Sequence, residues 1–160
     1  YAPRQRLDLS VNILTNHAIN KGEITVFGGE QLRPNLHIKD YANLCELLLK
    51  APVNKIRNQI FNCGTENLTI NEIALKVKHI VESVFPEKKP INIKVTTSDD
   101  LRSYHICSDK IKNILDFTPQ YTVDDAIKDL CKAFKDNKLS NSFDDDKYFN
   151  VRTMQKINAK

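Results

Sequence analysis

Apolar residues recur with helical spacing in three stretches, and each stretch predicts one strong helix. The first is predicted over residues 9–20, with Asp8 as its cap and Gly22 as its stop; its apolar positions are Leu7, Val11, Leu14 and Ala18. Thr69 and Glu72 form a capping box before the second, whose stripe is Ile70, Ile73, Ala74, Val77, Ile80, Val81 and Val84. Thr122 caps the third, whose inner face is Val123, Ala126, Ile127, Leu130 and Phe134.

Short β-rich runs and weaker helices lie between these three helices. Strands are predicted over residues 24–27, 36–38, 59–63 and 91–95, and Arg33-Pro34 is interpreted as a chain break. Asp40 is predicted to cap a helix that buries Ala42, Cys45, Leu48 and Leu49, and Ser108 to cap a short one through Ile111, Ile114 and Leu115. Helices and strands alternate along the chain, so we predict a mixed α/β fold.

Length and composition limit the classes of protein to consider. The chain has 160 residues, 41% apolar and 28% charged, which suits one globular domain. Its net charge of +4 is small and its basic residues are scattered, so no nucleic-acid partner is predicted. No apolar run approaches the roughly 18 residues of a membrane helix, so no membrane partner is predicted either. Helical periodicity fades late, which divides the chain into a domain at 1–137 and a tail at 138–160.

Cysteines and acidic residues offer no metal site by their spacing. The four cysteines lie at least 18 residues apart, so they are interpreted as buried thiols in a reducing compartment, and we expect a cytoplasmic protein. The acidic run at 144–146 lacks the Gly and Glu of an EF-hand loop and is interpreted as an exposed tail. The N-terminus has neither a signal-peptide core nor an initiator Met, which favours a fragment or a processed piece.

Two arginines are the main candidates for a binding site. The chain contains no GxGxxG, phosphate-loop, GxSxG or HExxH motif, so Gly28-Gly29 is interpreted as a tight turn and no catalytic residue is predicted. Arg33 and Arg102 follow turns near strand ends, where they could reach one cleft. A guanidinium suits a diphosphate because it stays charged and binds through two parallel hydrogen bonds. The alternative is a pair of surface arginines, with Arg102 paired to Asp99 or Asp100.

Four segments, in the same order, resemble motifs of the extended short-chain dehydrogenase/reductases, the NAD-dependent nucleotide-sugar epimerases and dehydratases. Residues 28–40 (GGEQLRPNLHIKD) resemble the family pattern G-x-x-x-R-x-x-x-H-[VI]-x-D. Residues 1–6 are similar to its Y-G-P turn, and residues 59–70 to its F-N-x-G strand-to-helix step. Residues 100–119 resemble its D-x-R-x-Y motif and the L-G-[FW]-x-P motif downstream of it. Together these motifs cover about residues 1–137; Ala2 and Asp116 stand where the family usually has glycine.

The resemblance implies a division of labour within a longer enzyme. Members of the family begin with a Rossmann domain that carries GxxGxxG and a Tyr-x-x-x-Lys pair, and neither motif occurs here. The chain is therefore expected to be the mixed α/β substrate-binding C-terminal half, without the N-terminal cofactor domain. NAD would be held by that missing Rossmann half, not by this chain, which would be inactive alone. The implied partners are a nucleotide sugar, the missing half and, in the full enzyme, a possible homodimer.

The resemblance also implies site residues. Asn12 would bond the diphosphate, Thr25 and Phe27 would line the nucleobase, and Arg33 and Arg102 would hold the phosphates from two sides. His37 is expected to be structural, inside a strand. The alternative function is a stand-alone module that binds a nucleotide or a protein without turnover. The sugar, the base and the choice among epimerase, dehydratase and reductase stay open.

Overall fold

Helices and strands alternate in the computed structural model, which describes residues 1–2, 4–98 and 102–159. The helices are α1 (Ser10–Lys21), α2 (Ile38–Lys50), α3 (Val53–Ile56), α4 (Ile70–Val84), α5 (Asp109–Leu115), α6 (Val123–Lys135) and α7 (Asn150–Lys156). The strands are β1 (Glu23–Phe27), β2 (Leu32–Asn35), β3 (Glu66–Thr69) and β4 (Asn92–Thr96). Short 3-10 turns cover Pro86–Lys88 and Asp146–Tyr148. The predicted mixed α/β class is confirmed.

The strands form two separate pairs. β1 and β4 run parallel, with Ile24 opposite Ile93. β2 and β3 run antiparallel, with Arg33 opposite Leu68. The Arg33-Pro34 step, predicted to break the chain, lies inside β2; proline is tolerated there because each strand of a two-stranded pair has an open edge.

The main core lies where α1, α4 and α6 pack against one another and where α1 and α4 pack onto β1. The predicted stripe of α4 is buried, and its capping box is present: the Thr69 hydroxyl accepts from the Glu72 N–H and the Glu72 carboxylate accepts from the Thr69 N–H. α6 has the matching box between Thr122 and Asp125. The three strong helices are therefore confirmed, because their local signals and their buried faces agree.

A second, smaller cluster joins the two ends of the chain. Its buried members are Leu7, Leu130, Ala133, Leu139 and Tyr148. The Leu7 N–H also donates to the Tyr148 carbonyl at 2.9 Å. The division of the chain at residue 137 stays a prediction, but residues 139–148 fold back onto α6 and the N-terminal segment.

Two predicted strands are wrong. Residues 36–38 are not extended throughout, since α2 begins at Ile38 with His37 as its N-cap. Residues 59–63 form no strand, and β3 begins three residues later, at Glu66. A strand exists only through hydrogen bonds to a neighbour, and no strand of the described chain lies beside residues 59–63. β-rich composition alone therefore could not decide whether residues 59–63 form a strand.

Two predicted caps are wrong and a third is right in position only, because tertiary contacts engage the side chains. Asp8 makes no capping hydrogen bond, and Asp40 lies in the first turn of α2. Ser108 is the N-cap residue of α5 as predicted, but its side chain makes no capping hydrogen bond. Each binds a distant main-chain group instead: Asp8 accepts from the Asn150 N–H, Asp40 from those of Gln120 and Tyr121, and the Ser108 hydroxyl bonds the N–H and carbonyl of Gly64.

The buried face of α2 and the state of two thiols also differ from expectation. α2 buries Asp40 and Leu44, whereas Ala42, Cys45 and Leu49 are exposed. Cys131 is buried, and burial raises its pKa to about 11, but Cys45 and Cys107 are exposed. All four cysteines are free. In the part of the chain that the structure describes, no helix has the length and apolarity needed to cross a membrane.

Candidate functional site

A cleft of about 780 Å³ opens between the N-terminal segment, the β2–α2 region and the start of α6. Clefts of this size accept small organic ligands. Three of the predicted site residues line it: Asn12, Arg33 and Arg102. They come from α1, from β2 and from the segment after β4, so only the tertiary structure brings them together.

The N-terminal wall of the cleft is a hydrogen-bonded unit. The Asn12 side-chain amide donates to the Arg6 carbonyl at 2.7 Å. The Arg6 guanidinium binds the Asp8 carboxylate with two hydrogen bonds, at 2.9 and 3.2 Å. Burial acts to raise the pKa of Asp8, but the bonds from Arg6 and from the Asn150 N–H outweigh it and lower that pKa. Asp8 therefore stays ionised and holds this wall in place.

Arg33 and the main chain of Arg102 are direct neighbours. Arg33 Nη1 donates to the Leu32 carbonyl at 2.9 Å and to the Arg102 carbonyl at 2.5 Å. The Arg33 guanidinium also lies over the ring of Tyr104, 5.1 Å from its centroid. These contacts orient Arg33 along the cleft wall. Asp99 and Asp100, the alternative partners of Arg102, lie outside the described residues.

A second cleft of about 350 Å³ adjoins the first, and its lining includes Thr25 and Phe27. Both residues lie on the face of β1 opposite the buried Ile24 and Val26. Arg33 lines both clefts, as do Asp8 and Ser10. All five predicted site residues therefore lie along two adjacent clefts that share Arg33.

The glycine pair between β1 and β2 is a tight turn. Gly29 has a φ of 118°, and its N–H donates to the Gln31 side-chain oxygen at 2.7 Å. A Cβ at Gly29 would lie 2.4 Å from Asn71 Oδ1, so only glycine fits. The Gly28 N–H donates to the Thr96 carbonyl at 2.8 Å, so the N–H groups of both glycines already have protein acceptors. The turn therefore directs the chain into β2 and does not present these two donors to a phosphate.

A polar cluster that the sequence did not predict lines another part of the larger cleft. His37 caps α2 by accepting from the Lys39 N–H at 3.1 Å, and its Nε2 lies 3.6 Å from Asp129. Its ring stacks on Tyr121 at 4.9 Å between centroids. Burial lowers the pKa of His37, which outweighs the opposing effect of Asp129. His37 is thus a buried helix cap and not the strand residue that was predicted.

The side chains along the two clefts can bind a ligand through charge and hydrogen bonds. Guanidinium, amide and aromatic groups suit an elongated polar ligand with negative charge. Within residues 1–2, 4–98 and 102–159, no group of three or more His, Cys, Asp or Glu side chains could hold a metal ion. His37 and Tyr104 stand at positions of the motifs quoted above, but the motifs did not predict their contacts in the clefts. Tyr121 and Asp129 carry no local sequence signal, because their partners are distant along the chain.

Comparison with known proteins finds a partial match to one family model and a similar fold in several solved structures. Residues 1–64 match the model of the NAD dependent epimerase/dehydratase family. UDP-glucuronic acid 4-epimerase from Bacillus cereus, solved with UDP-glucuronic acid and NAD, is 21% identical, with a TM-score of 0.69 over 86% of this chain and 43% of that one. dTDP-glucose 4,6-dehydratase from Bacillus anthracis, solved with NAD, is 20% identical, with a TM-score of 0.66 over 86% of this chain and 42% of that one.

A third solved structure, UDP-glucose 4-epimerase from Thermotoga maritima with UDP-glucose, is 23% identical, with a TM-score of 0.66 over 86% of this chain and 44% of that one. The chain thus covers less than half the length of each of these structures, 42–44%. At such identities the likeness shows the fold, while the family match adds the sequence of residues 1–64. The chain therefore resembles the NAD-dependent epimerases and dehydratases as predicted, by family sequence over residues 1–64 and by fold over most of its length.

Proposed function

We propose that this chain is the nucleotide-sugar-binding portion of an NAD-dependent sugar epimerase or dehydratase. It positions a nucleoside diphosphate sugar for hydride transfer that the N-terminal half of the enzyme performs. The observation that supports this proposal is the convergence of Asn12, Arg33 and Arg102 on one cleft, with Thr25 and Phe27 on the cleft next to it. Solved proteins of similar fold include complexes with UDP-glucuronic acid and with UDP-glucose.

The order of the site residues along the two clefts matches the order of nucleobase, diphosphate and sugar in a nucleotide sugar. The diphosphate lies near Arg33, where the two clefts meet. The nucleobase occupies the smaller cleft, against Thr25 and Phe27, and the sugar extends into the larger one. A guanidinium binds phosphate oxygens as a rigid fork, so two arginines and the Asn12 amide limit how the sugar can lie. Fixing the sugar in one orientation is how such a unit contributes to catalysis.

NAD belongs, in this proposal, to the other half of the enzyme. The only paired glycines of the chain, Gly28 and Gly29, form a turn packed against Gln31 and Asn71, which does not fit a dinucleotide phosphate. No residue of this chain is assigned to the cofactor. The chain alone, supplied with NAD and a nucleotide sugar, is expected to give no turnover.

The missing half has a candidate docking surface on α2. Ile38, Tyr41 and Leu49 of this helix are exposed, at 52%, 55% and 88%, and Ile60 in the unpaired segment 59–63 is 82% exposed. The matched part of this chain covers 42% and 43% of the length of two solved structures of similar fold, so a further domain of the same polypeptide is the occupant we propose. A cytoplasmic location, consistent with four free cysteines, and a homodimer of the full enzyme stay predictions.

Calorimetric titration of the 160-residue chain with UDP and with dTDP tests the binding site. UMP, which lacks the second phosphate, should bind more weakly. Arg33→Ala and Arg102→Ala should each weaken diphosphate binding by about 1.5–3 kcal/mol, the usual scale for hydrogen bonds to charged groups. Lysine at either position should restore only part of the lost affinity, since it keeps the positive charge but cannot make the two parallel hydrogen bonds of a guanidinium. The double variant should lose less binding free energy than the sum of the two single losses, because both arginines contact one ligand.

Arg57→Ala is the matched control, because Arg57 is exposed and lines neither cleft. If folded Arg33→Ala and Arg102→Ala bind like the unmodified chain, the phosphate contacts are wrong. If neither UDP nor dTDP binds, the nucleotide site itself is wrong. Turnover by the chain alone would contradict the division of labour. If the gene encodes no preceding segment with GxxGxxG and Tyr-x-x-x-Lys, a non-catalytic binding module is the better description.

A further inference from the structure

The segment of residues 102–108 runs beside the β2–β3 pair without joining it as a strand. We call this segment the strap. Its residues are exposed, apart from Ile106 and Ser108, which are half-buried. One main-chain hydrogen bond links it to β2, from the Tyr104 N–H to the Leu32 carbonyl, at a long 3.4 Å. Side chains supply most of its other attachments to the pair.

Asn67 makes the most complete of these attachments. Its side-chain Nδ2 donates to the Ile106 carbonyl at 2.9 Å, and its Oδ1 accepts from the Ile106 N–H at 2.9 Å. One amide group thus satisfies both main-chain groups of one strap residue, as a neighbouring strand would. Nearer the N-terminal end of the strap, the Ser103 hydroxyl accepts from the Leu32 N–H at 3.0 Å.

Packing below the strap reinforces the contact with Asn67. A Cβ placed on Gly64 would lie 2.8 Å from Ile106 Cδ1, so the Ile106 side chain rests directly on Gly64. The Ser108 hydroxyl bonds both the N–H and the carbonyl of Gly64, at 2.9 and 3.0 Å. The C-terminal end of the strap is therefore anchored to β3 and to the turn before it.

The strap carries two residues of the larger cleft, Arg102 and Tyr104. The Arg102 carbonyl accepts from Arg33, and the Tyr104 ring packs on the Arg33 guanidinium. The position of the strap therefore sets the position of both arginines relative to each other. Asn67 itself does not line the cleft.

We propose that Asn67 is a positioning residue for diphosphate binding, because it holds Ile106 and thereby fixes the strap that carries Arg102. This inference rests on the proposed function, since it assumes that the two arginines bind a diphosphate. Asn67 touches no ligand; it limits the motion of the residues that do.

Asn67→Ala tests the proposal in the 160-residue chain, with UDP as the probe. We expect a loss of UDP affinity on the order of 10-fold, because displaced contacts in a preorganised site weaken binding strongly. Asn92→Ala is the matched control, since Asn92 is an exposed strand asparagine outside both clefts, and it should leave the affinity unchanged. In an Arg102→Ala background, Asn67→Ala should cause less than about a 2-fold further loss.

Two further measurements keep the test independent of folding. Amide hydrogen exchange at Tyr104 should be faster in Asn67→Ala, while the core of α4 exchanges as before. Gly64→Ala, which displaces Ile106 from the other side, should weaken UDP binding in the same direction.

The outcomes separate this inference from the function on which it rests. If the unmodified chain binds UDP and Arg33→Ala weakens it, but Asn67→Ala binds normally, the positioning role is wrong and the proposed function stands. Equal losses from Asn67→Ala with and without Arg102 would also overturn it, since the effect would then be a general loss of structure. If the unmodified chain binds neither UDP nor dTDP, both proposals fail.

Discussion

Two amphipathic helices of similar length, α2 and α4, are used in very different ways. α4 has 15 residues and buries Ile73, Ala74, Val77, Ile80 and Val81 against α1, α6 and β1. α2 has 13 residues and buries only Asp40 and Leu44. Of the elements that the structure describes, none packs against α2 as extensively as these pack against α4.

The difference shows that apolar content does not make a core without a partner surface. α4 is held mainly by buried side chains, each worth about 1.5–3 kcal/mol when fully removed from water. α2 is attached at its first turn, where Asp40 accepts from the Gln120 and Tyr121 N–H groups and His37 stacks on Tyr121. Its exposed apolar residues are available to a further domain, which is the role proposed above.

The largest expected effect comes from replacing one apolar side chain in each of the two helices with alanine. Ile73→Ala in α4 should lower the free energy of unfolding by about 2–5 kcal/mol, because it leaves a cavity at a fully buried site. Leu49→Ala in α2 should change it by no more than about 0.5 kcal/mol, since Leu49 is 88% exposed. Urea denaturation of the 160-residue chain measures both. A large loss from Leu49→Ala would mean that α2 has a partner surface in this chain.

The second prediction concerns the attachment of α2 through Asp40. This 1% exposed carboxylate accepts from the Gln120 N–H at 3.0 Å and from the Tyr121 N–H at 2.9 Å. Asp40→Ala leaves both donors without that partner and should cost about 1–3 kcal/mol for each one that stays buried. Asp40→Asn keeps one oxygen and should cost less. Equal urea midpoints for Asp40→Ala and the unmodified chain would show that water replaces the carboxylate.

The third prediction concerns the cap of α4. Thr69→Ala removes the hydroxyl that accepts from the Glu72 N–H and should lower the free energy of unfolding by about 1 kcal/mol. Thr97→Ala is the control, because Thr97 is exposed and lies outside any helix. Chemical denaturation measures both variants. The interpretation of Thr69 as a cap is wrong if the two variants are equally stable.

The smallest expected effect is a pH dependence of the α2 cap. Burial lowers the pKa of His37 below its ordinary value of 6.5, against Asp129 and Asp40, which raise it, and with Lys39, which lowers it further. The unfolded chain then binds more protons than the folded one, so stability is full above pH 6.5 and falls as the pH drops below it. The physical reason is that the folded chain would have to bury the charge of the protonated ring. Protonated Nδ1 also cannot accept from the Lys39 N–H.

Thermal melts between about pH 7.5 and 5 measure this effect, since that range spans the ordinary titration of histidine. His37→Asn keeps a capping oxygen and should show a smaller loss of stability on acidification than the unmodified chain. His17 contributes in the same direction, because burial lowers its pKa too, so a His17→Asn variant separates the two. An unchanged pH profile in His37→Asn would assign the acid sensitivity to other groups.

Local patterns predicted the elements whose causes are local. The capping box at Thr69, the cap at Thr122, the stop at Gly22 and the stripes of α1, α4 and α6 all lie within a few residues of the structure that they specify. The two arginines were also predicted from nearby turns and charge, and they line one cleft. Their role as phosphate contacts stays a prediction.

Other residues were misread because their partners are far away along the chain. Asp40 looks like a helix cap in sequence, but its carboxylate binds residues 80 positions away or more. Ser108 does stand at the N-cap of α5, but its hydroxyl binds Gly64 instead of capping the helix. Residues 59–63 look like a strand, but pairing needs a neighbour that sequence composition does not supply.

By itself, therefore, the sequence determined the mixed α/β class, the strong helices and the family resemblance, because periodicity, caps and motifs are short-range properties. Only the tertiary structure decided the buried face of α2, the burial of each cysteine, the His37–Tyr121–Asp129 cluster and the contact between Asn67 and Ile106. All of these features depend on contacts between residues that are far apart along the chain. Such contacts can stabilise a side chain more than the local preference for a helix cap or a strand does, as the buried carboxylate of Asp40 shows.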